Sequence, residues 1–156
     1  MYSKIIGILV MLCFLFISLG CEIDGDPDPT ATPGELSETL KEYAFLVLTI
    51  CTFLPLDPES GVTTTIEGNV ATYTYTDSSY SETDIDAVVN GTIVETDNFP
   101  AYSDDMDLVF SNDDMGLETI SGDVVGDNSI TAGTLYINGF SVPATEYQEF
   151  LDDLFS

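Results

Sequence analysis

The chain has 156 residues, of which 28 are Asp or Glu and only 2 are Lys or Arg, so its formal net charge is −26 at pH 7. A surface this acidic argues against nucleic acid as a partner, because phosphate binding needs lysine and arginine. The chain has no histidine, which excludes Ser-His-Asp and Cys-His catalysis and imidazole metal sites.

Residues 1–20 have the pattern of a secretory signal peptide. Lys4 supplies positive charge, and the following run up to Leu19 is apolar except for Gly7 and Ser18. This run is shorter than the about 20 apolar residues that a membrane-spanning helix needs. It fits the apolar region of a signal peptide instead.

The end of this run, Ser18-Leu19-Gly20-Cys21, resembles the lipobox of bacterial lipoproteins. In that class a small residue precedes a cysteine that receives a diacylglycerol and becomes the mature N-terminus. Gly20 and Cys21 match, whereas Ser18 stands where leucine is usual. The resemblance covers residues 1–21 and implies lipidation of Cys21. It also implies a lipid-anchored protein of the cell envelope, in the outer membrane or on the cell surface if the host has two membranes. Ordinary signal-peptide cleavage, giving a secreted soluble product, is the alternative.

Residues 21–34 form an acidic, proline-rich tether behind the lipidated cysteine, since they show no apolar periodicity. Residues 35–156 are enough for one folded domain and too few for two. Glu22 directly follows Cys21. By resemblance to lipoproteins, an aspartate at that position would signal retention in the inner membrane, so Glu22 is compatible with export to the outer membrane.

A helix is predicted to begin at Thr32, with Pro33 in its first turn and Glu35 completing a capping box. Apolar residues then recur at helical spacing: Leu36, Leu40, Tyr43, Val47 and Leu54. Pro55 and Pro58 are expected to end the helix.

Nearly every position from residue 43 to residue 54 is apolar, which predicts a helix buried on more than one side. A second membrane contact is the alternative, but twelve residues are too few to cross a bilayer. Cys51 lies in this stretch. With Cys13 in the signal peptide and Cys21 lipidated, it has no cysteine to pair with in the mature chain, and we expect a small buried hydrophobe.

Apolar and polar residues alternate from residue 62 to residue 142, which predicts a series of β-strands. Gly68-Asn69, Asn90-Gly91 and Asn138-Gly139 are hairpin signals, and Asn90-Gly91 favours a type I′ turn. A fourth connection is expected at Gly126-Asp127-Asn128-Ser129. Short connections imply an antiparallel meander, with one face packed on the core and one face in water.

The last helix is predicted from a stripe of four apolar residues with acidic residues on the opposite face: Tyr147, Phe150, Leu151 and Leu154 against Glu146, Glu149, Asp152 and Asp153. Pro143 and Thr145 are its start signals. The predicted fold is therefore α+β, an antiparallel meander with an N-terminal and a C-terminal helix on its apolar face. We expect about six to eight strands, strongly curved or shaped as a half-barrel, because glycines fall within or beside the strands.

The densest acidic cluster flanks the strand predicted at residues 106–110; its members are Asp104, Asp105, Asp107, Asn112, Asp113 and Asp114. Oxygen ligands of this kind suit Ca²⁺. We favour solvated acidic loops in this Asp104–Asp114 segment, and expect no metal and no cofactor.

Three classes of function are compatible with these features. We favour a non-catalytic envelope lipoprotein, attached to a membrane through lipid on Cys21, with a structural or partner-binding role. The second class is a carrier of a lipid or other apolar ligand, held in a cavity between the sheet and the apolar helix. The third, less favoured class is a Ca²⁺-binding adhesion module or a hydrolase that works with carboxylates alone.

Overall fold

The computed structural model describes residues 35–53, 61–80, 85–98 and 101–156. In these ranges it shows two helices and one antiparallel sheet, which confirms the predicted α+β meander. The strands lie in the sheet in chain order, and β1 and β7 are its two edges, so the sheet is open. The elements are α1 (Glu38–Phe53), β1 (Val62–Glu67), β2 (Val70–Tyr80), β3 (Ile85–Asn98), β4 (Ala101–Ser111), β5 (Thr119–Asp127), β6 (Ser129–Ile137), β7 (Phe140–Pro143) and α2 (Ala144–Leu154).

Strand β4 shows how the alternating pattern divides the sheet into two faces. Met106, Leu108 and Phe110 are buried, whereas Asp107 and Val109 between them are exposed. Successive side chains of a strand point to opposite faces, so one face of the sheet is dry and packs under the helices. We call this the core face.

Two of the predicted hairpins are confirmed. Gly68-Asn69 joins β1 to β2, and Gly68 has a φ of 65°. Asn138-Gly139 joins β6 to β7, and its φ angles of 48° and 80° are both positive, as a type I′ turn requires. The connection between β5 and β6 is tighter than expected, because only Asn128 separates the two strands.

The turn predicted at Asn90-Gly91 is wrong, because β3 runs through both residues. Asn90 does not adopt the positive φ that a type I′ turn needs. Its side chain instead accepts a hydrogen bond from the Asp77 amide (3.0 Å) and donates one to the Asp77 carboxylate (3.2 Å), beside an irregularity in β2. Gly91 has a φ of 123°, and a Cβ there would lie 2.0 Å from the Asp107 carbonyl oxygen. This glycine therefore permits the close approach of β3 and β4.

Helix α1 begins later than predicted. Its first turn is capped by Ser37, whose Oγ accepts a hydrogen bond from the Leu40 amide at 3.2 Å. Glu35 precedes the helix and completes no capping box; Thr32 and Pro33 lie outside the described residues, as do Pro55 and Pro58. The helix begins later because Ser37, a second small hydroxyl residue that lies closer to the apolar run, can cap it in place of Thr32.

The burial of α1 confirms that it is a core helix. Its fully or almost fully buried residues lie on several sides of its axis: Ala44, Phe45, Val47, Leu48, Ile50 and Cys51. Thr49 is also buried, and its hydroxyl donates to the Phe45 carbonyl at 2.8 Å. The Tyr75 hydroxyl of β2 donates to the Cys51 carbonyl at 2.6 Å, which ties the end of the helix to the sheet.

Helix α2 packs against both α1 and the sheet, through the apolar stripe that the sequence predicts. The ring of Phe45 of α1 packs at a tilt against those of Tyr147 and Phe150, with ring centroids 5.3 and 5.7 Å away. Gln148 accepts a hydrogen bond from the Ile130 amide of β6 at 2.7 Å. Tyr147 is buried, whereas Phe150 is only half-buried, so Tyr147 is the main apolar anchor of this helix.

Candidate ligand-binding cavity

One end of the core face contains a cavity of about 260 Å³ between the sheet and the two helices. Strands β2 to β6 and both helices contribute to its wall. Five of the eleven lining residues are apolar, and the other six carry hydroxyl or carboxylate groups. The lining residues are Thr52, Tyr73, Ile93, Glu95, Tyr102, Asp104, Met106, Val124, Ile130, Tyr147 and Leu151. We call this space the sheet–helix cavity.

Strand register brings the polar residues of the cavity together. Glu95 of β3 is the direct partner of Asp104 of β4, which in turn pairs with Val124 of β5. Residues that are directly opposite in an antiparallel pair have Cβ atoms about 4.5–5.5 Å apart. Asp104 lies two residues before Met106 and so shares the core face with it. The two carboxylates are therefore neighbours inside the cavity.

The surroundings of Asp104 disfavour its charged form. Its Oδ1 is buried and has no hydrogen-bond partner among the described residues. Burial, followed by the negative charges of Glu95 and Asp105, raises the pKa of the Asp104 carboxyl to about 6. Each of these causes disfavours the charged form, so Asp104 is a carboxylate held in surroundings that do not compensate its charge.

Three tyrosines place hydroxyl groups around the carboxylates. The Tyr73 hydroxyl donates to Glu95 at 3.1 Å, and burial together with the charge of Glu95 raises the pKa of Tyr73 to about 12. Burial and then the charge of Asp104 raise the pKa of Tyr102. Burial also raises the pKa of Tyr147 to about 12, and its hydroxyl lies 3.0 Å from that of Thr49. All three therefore remain protonated hydrogen-bonding groups at neutral pH.

Gly126 of β5 makes room for Tyr102. A Cβ at this position would lie 2.8 Å from the Tyr102 hydroxyl and 2.2 Å from the Ser129 carbonyl oxygen. Any other residue would displace either the tyrosine or the neighbouring strand. The glycine thus allows the Tyr102 hydroxyl to lie close to the β5 backbone at the wall of the cavity.

Within residues 35–53, 61–80, 85–98 and 101–156, no cation neutralises these carboxylates. The two basic residues of the chain are Lys4 and Lys41. The Lys41 ammonium is bound to Glu38 at 2.9 Å and to Glu146 at 2.8 Å, where it joins the two helices. Neither glutamate lines the cavity.

The structure separates the members of the predicted acidic cluster. Asp104, Asp105 and Asp107 lie within β4, so the expectation that they form a loop is wrong: the strand begins at Ala101, five residues earlier than its apolar part. Asp105 and Asp107 are exposed on the outer face, opposite to Asp104. Asn112, Asp113 and Asp114 do lie in the connection to β5.

Asp113 has a structural role in that connection. One of its oxygens accepts hydrogen bonds from the Met115 and Leu117 amides, at 2.9 and 3.0 Å, and the other accepts from the Tyr43 hydroxyl at 2.5 Å. Both oxygens are thus used to close the turn and to join it to α1. Within the described ranges no group of three or more acidic or cysteine residues is placed to hold a metal ion.

Cys21, the proposed lipidation site, lies outside the described residues. Cys51 is fully buried, as expected for a small hydrophobe. No helix in the described part of the chain has both the length and the apolar character to span a membrane. The polar members of the cavity were not predicted as a site, although Asp104 and Glu95 share the alternation of the buried residues Met106 and Ile93.

Comparisons with protein-family models, curated proteins and solved structures find no match to this chain. Its function is therefore inferred from the residues and their arrangement.

Proposed function

We propose that this chain is a lipoprotein of the cell envelope, held to a membrane by lipid on Cys21, with a folded domain that acts as a non-catalytic binding module. The lipobox-like residues before Cys21 support the anchor. The sheet–helix cavity is the observation that supports a binding role, because concave sites with an apolar wall and a few convergent polar groups are where proteins hold small ligands.

The cavity is better suited to a small polar-headed ligand than to a long lipid. Its volume of about 260 Å³ lies just below the about 300–1,000 Å³ of typical ligand sites. Glu95 and Asp104 would be desolvated by a wholly apolar occupant, which is unfavourable unless their charge is compensated. A carrier of purely apolar molecules is therefore less well supported.

A carboxylate-based hydrolase is the second candidate, since Glu95 and Asp104 form a close pair in a cavity. Glycosidases place their two carboxylates on either side of the bond that is cut. Glu95 and Asp104 are adjacent on one face of one sheet, so both approach a ligand from the same side. This arrangement favours binding over hydrolysis.

The anchor is tested by expressing the full chain with Cys21→Ala and following membrane fractionation and the mass of the mature N-terminus. We expect the wild-type chain to carry diacylglycerol and the variant to stay unprocessed or to leave the membrane. Cys13→Ala is the matched control, because it removes a thiol eight positions upstream and should leave processing unchanged. Wild-type behaviour of Cys21→Ala would contradict the anchor.

The binding role is tested separately, by ligand-detected NMR of the purified full chain with small aliphatic alcohols and amines. Saturable binding is expected. Aryl glycosides serve as the test of the second candidate: turnover that is abolished by both Glu95→Gln and Asp104→Asn would favour the hydrolase.

A further inference from the structure

We infer that the sheet–helix cavity binds a small organic cation, a protonated amine with a short apolar body, whose ammonium group lies against Asp104 and Glu95. This inference rests on the proposed binding role and adds the chemical class of the ligand.

Among the described residues no cation is available to the cavity, so we expect the ligand to supply one. Glu95 and Asp104 place two carboxylates side by side, and Lys41, the basic residue of the folded part, is engaged by Glu38 and Glu146. A buried charge without a partner is unfavourable unless it is neutralised or paired. An ammonium group supplies the opposite charge at the place where the described part of the chain supplies none.

The polar atoms of the cavity favour an N–H donor over a cation that lacks one. Asp104 Oδ1 is buried with no donor within hydrogen-bonding distance in the described part of the chain. A primary ammonium has three donors, one of which can bond this carboxylate once its side chain turns toward the cavity. Glu95 already accepts from Tyr73, and a carboxylate can accept further hydrogen bonds from the same ligand.

The rest of the lining fits the body of such a ligand. Ile93, Met106, Val124 and Ile130 form an apolar wall on the sheet side, and Leu151 faces them from α2. Calcium would need about six to eight oxygen ligands, and no group of three acidic residues is assembled here among the described residues. An anion is disfavoured both by the two carboxylates and by the negative field of the whole chain, which attracts cations to the entrance.

The experiment uses the full chain purified in a non-ionic detergent at pH 7.5, with n-butylamine as the probe. Isothermal titration and ligand-detected NMR measure its affinity, with n-butanol, butyrate, tetramethylammonium, NaCl and CaCl₂ compared at matched ionic strength. We expect n-butylamine to bind saturably and at least about tenfold more tightly than n-butanol, a difference in free energy of about 1.4 kcal/mol. Butyrate should not bind.

Three variants locate the site. Asp104→Asn and Glu95→Gln should each weaken n-butylamine binding by about tenfold or more and bring it close to that of n-butanol. Asp107→Asn is the matched control: it removes the same charge from the same strand, on the outer face, and should change the affinity less than about twofold. Circular dichroism confirms that the variants are folded.

The outcomes distinguish the ligand class from the binding role. Equal affinity for n-butanol and n-butylamine would overturn the cation and keep a binding cavity, whereas no binding of any probe would overturn both. Equal loss of affinity in Asp107→Asn and Asp104→Asn would show diffuse electrostatic attraction and contradict the site. A thermal shift with CaCl₂ alone would overturn the amine in favour of a metal ion. Tighter binding of tetramethylammonium than of n-butylamine would contradict the role of the unpartnered Asp104 oxygen.

Discussion

The core face of the sheet has two ends of opposite character, and β4 passes through both. At one end Leu108 and Phe110 are buried in the apolar core. At the other end Tyr102 and Asp104 continue the same alternation, but they line the sheet–helix cavity. The core face of one strand thus changes from apolar core residues to polar cavity-lining residues along its length, without a change in strand direction.

The apolar end of the core face, around Leu108 and Phe110, is expected to contribute most to the free energy of unfolding. Leu108 is fully buried, and Leu108→Ala should lower the free energy of unfolding by about 2–5 kcal/mol, through lost apolar contact and the cavity left behind. Val109→Ala is the matched control, since Val109 is next in sequence, lies on the outer face and is 50% exposed. Denaturant unfolding measures both. Similar losses for the two variants would contradict the division of the sheet into a dry face and a wet face.

The close approach of β3 and β4 can be tested at Gly91. Its φ of 123° and the 2.0 Å that would separate a Cβ from the Asp107 carbonyl oxygen predict that Gly91→Ala costs about 1–3 kcal/mol. Gly68→Ala should cost less, about 1–2 kcal/mol, because a Cβ at Gly68 meets no atom within 4 Å and only the positive φ is unfavourable. Thermal unfolding of the two variants compares them. A smaller cost at Gly91 than at Gly68 would mean that the strands separate easily.

At the cavity end of the core face, a substitution that removes a charge is expected to raise the free energy of unfolding instead of lowering it. Asp104→Asn removes an uncompensated charge and should stabilise the protein at pH 7.5 by about 1–2 kcal/mol, a value already reduced for the partial exposure of this carboxyl. Asp107→Asn, on the exposed face, is expected to change stability by less than about 0.5 kcal/mol. A destabilised Asp104→Asn variant would show that the carboxylate is held by favourable contacts, and would sharply weaken the case for a ligand-binding role.

The destabilising effect of the Asp104 charge is expected to depend on pH. The pKa of Asp104 is about 6 in the folded chain and near 3.8 when unfolded, so the folded state binds the proton more tightly. The contribution of Asp104 to stability is therefore largest below about pH 4, falls as the pH rises to about 6, and is constant above that. The difference in stability between the wild-type chain and Asp104→Asn should grow over this interval.

The fold could be predicted from the sequence further than the site could. The alternation of apolar and polar residues correctly predicts which residues of each strand face the core. The apolar stripe predicted for α2 is also confirmed, because helix amphipathicity is a local property of the sequence. Asn90-Gly91 misled because its local turn preference is overridden by pairing of β3 with β4 and by the hydrogen bonds of Asn90 to Asp77. A short stretch of sequence does not reveal tertiary contacts of this kind.

A cavity between the sheet and the apolar helix is one of the alternatives that the sequence offers, but the pairing of Glu95 with Asp104 inside it escaped prediction for a related reason. Glu95 and Asp104 are nine residues apart, and only the β3–β4 register makes them direct partners. In a chain with 28 acidic residues, no single carboxylate stands out by type. The available signal is that each carboxylate lies two residues from a buried apolar residue of the same strand, and therefore on the same face of the sheet. Asp104 precedes Met106 by two residues, and Glu95 follows Ile93 by two.

The ion pairs of Lys41 have a consequence for proteolysis. Trypsin cuts after lysine and arginine, and Lys41 is the only such position beyond Lys4. It lies inside α1, with its ammonium clamped between Glu38 and Glu146, so cleavage of the folded domain requires the first turns of that helix to open. Because susceptible bonds in native proteins are cut through such local opening, a single tryptic cut would report directly on the detachment of α1 from α2. Everything downstream of Lys41 would persist as one large fragment.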